Sequence, residues 1–297
     1  MMEHFIKDYF NDDAKRTLLN SLTREIYGFD FTDWYNNGYY TGEYIPYSIE
    51  IDGKIISNAS ANIMKFSQIN LDGEYKERTY IQIGTVMTLP EYRRMGFAGR
   101  LIKEIIKDYR DNCDGIYLFA NLSALNFYED LGFWKSMHYK VSVKKNIVIE
   151  KKDADFIEIR KNKEKRENYL AMVKLTTCNS SFEQTNKFGL QMFYTGDFQN
   201  VYYSKSLNCF ACYECNEKTL YLNSIIADKE TSVRDVLAKI PDTFDRVIIG
   251  FTPKKFDLDI FDLEEYDGAD NYRLFCMGNI LKEIEENKLY FPEYSHA

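Results

Sequence analysis

Histidine, tryptophan and proline are scarce in this chain, with three, two and five copies among 297 residues. Two of the histidines, His4 and His296, sit at the termini, so a histidine-based triad or a multi-histidine metal site has little to build on, and no metal is expected. Six cysteines, at 113, 178, 209, 212, 215 and 276, form no regular framework in a chain of this length; a reducing, cytoplasmic setting fits them best. No apolar run approaches the ~18 residues of a membrane span. Glu3, Lys7 and Asp8 interrupt the first ten residues, so a secretory leader is not expected. Positive charge is also short. Lys plus Arg is 38 against 46 Asp plus Glu, and the net −8 opposes a long polyanion such as nucleic acid, or an anionic bilayer. Any anion site must be local.

What the chain does have is apolar and aromatic mass: 45% hydrophobic residues, 16% aromatic, and 24 tyrosines. That is the composition of an ordered protein with a sizeable core, and the length suits two domains. Asp12 or Asp13 can cap a helix to about Ile26, with Leu18, Leu19, Leu22 and Ile26 on one face. Gly28 to Pro46 is dense in aromatics broken by Asn, Gly and Asp, and reads as a long structured loop. Strand-like runs follow at Tyr44–Ile51, Ile55–Ser67 and Tyr75–Thr88, separated by Asp52-Gly53 and Asp72-Gly73 turn signals, an antiparallel meander. After Pro90 the period changes to that of a helix: Phe97, Leu101, Ile105 and Tyr109 share a face. A buried strand at Gly115–Ala120, a brief helix from about Ser123 to Leu131 stopped by Gly132, and extended chain from Phe133 to Val143 complete the first half.

The charged stretch from Lys151 to Glu167 reads as a linker entering a helix that ends near Thr177, which places a domain boundary near 150. Strands near 200–204, 209–215 and 219–227, a helix 232–240, a strand 246–251 and a late strand 272–277 then repeat the order of elements seen in 44–143. A duplicated α+β fold is the inference. Each copy is expected to be a twisted, mixed, largely antiparallel sheet flanked by helices.

Two segments carry chemistry. In Thr85-Val-Met-Thr-Leu-Pro-Glu-Tyr-Arg-Arg-Met-Gly-Phe-Ala-Gly99 a strand runs through a polar turn into the amphipathic helix. Arg93-x-x-Gly96-x-Ala98 puts small residues where backbone N–H groups at a helix start can face an anion, and Arg93, Arg94 and Arg100 add local positive charge. The second segment, Ala120-Asn-Leu-Ser-Ala-Leu-Asn-Phe-Tyr-Glu-Asp-Leu-Gly-Phe133, is a strand end followed by one short helix. Together they resemble the acyl-CoA signature of the GNAT superfamily of N-acyltransferases: Arg93-x-x-Gly96-x-Ala98 matches its pyrophosphate loop, and Asn121 with Phe127-Tyr-x-x-x-Gly-Phe133 matches its second CoA-contacting block. The resemblance covers about residues 1–145. A second similar domain further resembles the Eis-type branch, although the chain looks too short for that branch's additional C-terminal domain.

The resemblance implies a catalytic domain at 1–150 and a degenerate one at 151–297, with acetyl-CoA as acyl donor. It assigns Val86, Met87 and Thr88 to the pantetheine arm, Arg93, Arg94, Met95, Gly96, Phe97, Ala98 and Gly99 to the pyrophosphate, and Asn121, Ser123 and Ala124 to the cofactor's side of the short helix. Tyr128 matches the family's general acid. The strand carboxylate that many members use as base is replaced here, since Tyr80-Ile-Gln-Ile-Gly84 offers only Gln82; Asp33, Glu43 or a water chain remain as alternatives.

The aromatic segment around Asp33, Trp34 and Glu43 is the candidate wall for a cationic amine, which a small molecule or a protein would present. Self-association stays open. The second half's own strand-to-helix turn, Ile226 to Arg234, has no glycine and sets Asp228 and Glu230 where a pyrophosphate would sit, so like charges there should repel CoA. Cys209-x-x-Cys212-x-x-Cys215 lies on a predicted strand whose period turns Cys212 away from the other two. The competing reading is a non-catalytic acyl-CoA binding or sensing module. A transferase drawing its donor from tRNA is disfavoured by the acidic balance.

Overall fold

The computed structural model describes residues 2–175 and 179–297; the end of the helix expected near Thr177, and Cys178, lie outside the described residues. The first half runs β1 (Glu3–Lys7), α1 (Asp13–Tyr27), α2 (Thr32–Asn36), β2 (Tyr44–Ile51), β3 (Lys54–Ile69), β4 (Tyr75–Thr88), α3 (Phe97–Tyr109), β5 (Gly115–Ala120), α4 (Leu125–Asp130), β6 (Trp134–Ser136) and β7 (His138–Val143). Its local signals act as read. The Asp12 carboxylate caps α1 by accepting from Lys15 N–H at 3.0 Å, and Gly28 closes that helix with a left-handed φ of 77°. Phe97, Leu101, Ile102 and Ile105 make the buried face of α3. The second half continues with β8 (Phe156–Glu158), α5 (Lys163–Leu175), β9 (Phe182–Gln184), α6 (Phe188–Thr195), β10 (Val201–Ser204), β11 (Cys209–Asn216), β12 (Thr219–Ala227), α7 (Val233–Lys239), β13 (Arg246–Ile249), β14 (Phe261–Tyr266), β15 (Arg273–Met277) and α8 (Glu283–Glu286).

These strands form two mixed, largely antiparallel sheets with helices against them. The first has the order β1-β2-β3-β4-β5-β15-β6, with β9 added on β3; the second has β14-β7-β13-β12-β11-β10-β8. Each contains a parallel pair bridged by a helix, β4·β5 through α3 and β12·β13 through α7, as a duplicated fold requires. The copies also exchange strands. In the first sheet β15 lies between β5 and β6, and in the second β7 lies between β13 and β14.

The division into 1–150 and 151–297 is therefore crossed twice. The extended run from Phe133 to Val143 breaks at Met137, whose N–H donates to Glu285 Oε1 at 2.8 Å, and the chain passes from one sheet to the other.

Both faces of the first sheet are buried. One carries α1 and α3 over Leu19, Leu22, Ile81, Ile83, Leu101 and Ile105. The opposite face packs Met64, Phe66, Tyr80 and Tyr117 against Phe182, Leu281, Ile284 and Phe291 from the second half. Phe66 stacks on Phe182 at 4.3 Å and Tyr117 on Phe291 at 4.3 Å, offset aromatic pairs that join the halves as firmly as a single core.

Candidate functional site

The site begins where β4 and β5 part. Their parallel ladder runs only from Tyr80–Gln82 against Gly115–Tyr117, while β4 continues to Thr88 and β5 to Ala120. A bulge widens the gap. Thr85 and Val86 together oppose Ala59, and Thr85 carries a φ of 42°, an uncommon value for a β-branched residue. Side chains hold it: Asn58 Nδ2 donates to Thr85 O at 2.9 Å, Thr85 hydroxyl lies 2.8 Å from Ser60 Oγ and 3.0 Å from the Tyr44 hydroxyl, and Tyr27 hydroxyl donates to Val86 O at 3.0 Å.

A cavity of about 490 Å³ opens at this gap. Val86, Asn121, Ala124, Phe127 and Tyr128 line one side of it, and Trp34, Glu43 and Tyr44 another. Asp33 is exposed and does not line the cavity, nor does Ser123, which is also exposed. Met87 points into the core, and the Thr88 hydroxyl is engaged by Ser57 at 2.8 Å.

The glycine loop lies just outside, joined to the cavity through Phe127, whose ring stands 3.5 Å from where a Cβ on Gly99 would be. After a turn at Pro90–Tyr92, Arg94 takes a φ of 64° and Gly96 a φ of 83°, so the chain folds back on itself before α3 starts. The first bond of that helix is from Arg100 N–H to Gly96 O at 3.1 Å, and no side chain caps it. The N–H groups of Phe97, Ala98 and Gly99 consequently precede the helical ladder and face outward at its positive end. Nothing lies within 4 Å of a Cβ built on Gly96, so the approach to these N–H groups is open to an anion. Of the arginines, Arg93 Nε is docked on Thr88 O at 3.1 Å, Arg94 is exposed, and Arg100 is paired with Glu3 at 2.6 Å.

The corresponding turn of the second half is closed by the chain itself. Asp257 accepts from Val233 N–H at 2.9 Å and from Ser232 hydroxyl at 2.8 Å, placing a buried carboxylate on the N-terminus of α7. The Asp257 carboxyl thus takes up donors at that helix start, which opposes an external anion there by contact as well as by the acidic turn.

Tyr128, on α4, is only 6% exposed and sits among the rings of Phe127, Phe133 and Phe275. Its hydroxyl has no hydrogen-bond partner among the described residues, and burial, reinforced by nearby Tyr27, holds its pKa well above that of an ordinary phenol. It is a neutral donor facing a cavity. Gln82, where a carboxylate base would sit, is buried, accepts from Tyr117 hydroxyl at 3.3 Å and donates to Ala297 O at 3.4 Å.

Much of the wall was not foreseen. Gln184 comes from β9, Asn186 from the turn after it, Gly189, Leu190, Phe193 and Tyr194 from α6, and His296 and Ala297 from the last residues. Trp34 Nε1 donates to Gly189 O at 2.8 Å, and Phe193 meets Phe29 at 5.6 Å, so α6 closes over the aromatic segment of the first half. The adjacent aromatic pair Phe193-Tyr194 was the available signal, but nothing local tells that it reaches a site built largely by the first half of the chain. His138, expected to be structural, is fully buried against Tyr290 at 4.6 Å. Cys209 and Cys212 lie in different clusters on opposite faces of β11, as the strand period predicts. No helix among the described residues is long and apolar enough to cross a membrane.

The profile of the Acetyltransferase (GNAT) family matches residues 4–133. No curated protein is matched by the sequence. Among solved structures, the fold is similar to a conserved protein from Enterococcus faecalis V583 described as a probable N-acyltransferase, with 12% identity, 96% of this chain and 74% of that one covered, and a TM-score of 0.56. It is similar to a GCN5-related N-acetyltransferase from Kribbella flavida, with 12% identity, 95% and 73% covered, and a TM-score of 0.54. It is also similar to Eis1 from Mycobacterium abscessus, with 11% identity, 92% and 73% covered, and a TM-score of 0.55. At these identities the likeness is one of fold, and it extends over both halves.

Proposed function

We propose, from the match of residues 4–133 to the acetyltransferase (GNAT) family, that the chain transfers an acetyl group from acetyl-CoA to an amine, with Tyr128 as general acid. The observation that carries the proposal is the continuity of three features: an uncapped, glycine-started helix, a strand bulge beside it, and a buried neutral phenol facing the cavity between them. Residues 93–99 would hold the pyrophosphate, Val86 to Thr88 the pantetheine arm, and Asn121, Ser123 and Ala124 would flank the cofactor. Acetyl-CoA supplies an acyl group activated as a thioester.

In this scheme the amine nitrogen bonds to the acyl carbon, the carbon–sulfur bond breaks, and the amine loses a proton. A free phenol of pKa about 10 already exceeds a thiol at about 8.5, and burial raises Tyr128 further, so complete proton transfer ahead of bond breaking is uphill. Tyr128 therefore acts by donating a hydrogen bond as charge develops on sulfur, an interaction strengthened by the dry surroundings. Glu43 is the carboxylate, of the two expected, that lines the cavity, and it is the proposed route for the amine's proton, directly or through water. Holding the amine against the acyl carbon supplies the rest of the acceleration. The site is proposed to work in the cytoplasm.

Gln82 favours a second reading, binding without turnover. An acceptor screen that follows the release of free CoA thiol separates the two, with Tyr128→Phe as control. Transfer should fall at least tenfold in the variant while the CoA-induced rise in melting temperature persists. An unaffected rate removes Tyr128 from the mechanism; CoA binding with no turnover on any amine leaves the sensing module.

A further inference from the structure

Resting on the proposed acyl transfer, we infer that the acceptor is a small primary amine carried on an aromatic or bulky apolar body, and that the second half of the chain selects it. The cavity wall decides this. Phe29, Phe31, Trp34 and Phe193 form a continuous aromatic box, with Phe193 6.1 Å from Phe31 and 6.3 Å from Trp34. The one charged side chain lining the cavity, among the described residues, is Glu43. Against these four side chains the several cations of a polyamine, or the hydroxyls of an amino sugar, would be stripped of water with no hydrogen bond in return, the lining's asparagine amides, Asn62, Asn121 and Asn186, lying outside the box. A single ammonium needs one carboxylate and aromatic faces, and both are present. Part of the 490 Å³ must also take the acyl end of the donor, beside Val86 and Tyr128, which leaves room for one or two rings.

The selecting polar contact is Gln184. Its orientation follows from a chain of bonds: Asn186 Nδ2 donates to Ile63 O at 2.8 Å while Asn186 Oδ1 accepts from Lys65 N–H at 2.9 Å, so that amide cannot be reversed. Gln184 must then turn its Nε2 to Asn186 Oδ1, at 3.3 Å. Gln184 Oε1 is left buried with no partner among the described residues, on a side chain that is 4% exposed and stands between this cavity and a much smaller neighbouring one. A buried acceptor without a donor is costly, and an acceptor molecule with a hydroxyl or ring N–H on its apolar body would satisfy it. The reciprocal fold thus gives the halves different tasks: the first faces the thioester and supplies three aromatic side chains of the box and Glu43, while Phe193 on α6 closes the box and Gln184 on β9 adds the selecting polar contact.

The test compares 2-phenylethylamine and its ring-hydroxylated analogue tyramine with spermidine and kanamycin, by CoA-thiol release and, separately, by the change in melting temperature without any CoA. The aromatic amines should be preferred at least tenfold in kcat/KM and be the ones that raise the melting temperature. Phe193→Ala should raise their KM at least tenfold with a smaller change in kcat, and Gln184→Met should erase the advantage of tyramine over phenylethylamine. Equal or reversed preference for spermidine or kanamycin overturns the inference, as does the absence of any stabilisation and turnover with the aromatic amines. Stabilisation by aromatic amines alone, with no transfer to any amine, upholds this inference and rejects the acyl-transfer reading.

Discussion

Two buried rings show how a single environment determines what a side chain can do. Tyr128 and His138 are both in apolar surroundings, and in both burial favours the neutral form: a phenol that keeps its proton and an imidazole that refuses one. For His138 the pKa falls to about 3, chiefly by burial, with His296 and Lys140 adding to the effect. Its Nδ1 has no partner among the described residues and its Nε2 lies 3.3 Å from the Tyr272 hydroxyl. The unfolded chain would protonate this histidine near its ordinary pKa of about 6.5, so the unfolded state takes up the proton first as the medium is acidified. Stability is full above about pH 6.5 and declines as pH falls toward 3, by at most ~1.4 kcal/mol per unit for this group. Between pH 7 and pH 5 the loss should be about 2 kcal/mol, and His138→Phe should remove that share from the urea-unfolding free energy; an equal acid loss in the variant would dismiss the histidine as its cause. Of the residues at the candidate site and the loop proposed beside it, Tyr128 and Gly96 could be singled out in the sequence because each sits inside a short motif whose spacing is local. Gln184, Phe193 and His296 were not, since each reaches the cavity through packing between segments far apart in the chain.

At the scale of one element, the start of α3 is the most informative. Gly96 combines a left-handed φ with empty space around its missing Cβ, so two different costs can be told apart. Gly96→Ala meets no clash inside the protein and should cost only the backbone strain, ~1–2 kcal/mol. It should melt a few degrees lower yet still be stabilised by CoA. Gly96→Glu adds a negative charge and bulk where the pyrophosphate is proposed to lie, and its CoA-induced thermal shift should vanish; a shift equal to that of the unmodified protein would sink the loop assignment. The elements themselves were read unevenly. β2, β4 and β5 have the bounds that their turn signals and period set. β1 was missed because it is an exposed edge strand with no buried alternation. β9 has three residues, too few for a pattern, and α6, Phe-Gly-Leu-Gln-Met-Phe-Tyr-Thr, is apolar on several sides because it is covered by both halves. β14, Phe-Asp-Leu-Glu-Glu-Tyr, was passed over between the strands expected at 246–251 and 272–277, since only one of its faces is covered.

On the scale of the molecule, the repeated order of elements disclosed the duplication, but the exchange of β7 and β15 left no trace in the sequence. A strand's period tells which face it buries and nothing about which sheet receives it. The exchange has a mechanical consequence. β5 and β6 are not paired with each other; β15 bridges them, Leu274 pairing with both Phe119 and Ser136. A fragment of residues 1–150 would lose that strand, expose both new edges, and strip Phe182, Leu281, Ile284 and Phe291 from the apolar face of Met64, Phe66, Tyr80 and Tyr117. It would also carry β7 with no sheet to join. Although this fragment contains every residue proposed to bind CoA, it should give no cooperative thermal transition and no CoA-induced shift, whereas co-expression with 151–297 should restore both and the two pieces should elute together. The full chain should in turn unfold in one transition, because neither sheet can open without breaking the other. A fragment that folds alone and binds CoA would show that the exchanged strands are accessory to the first sheet rather than part of its core.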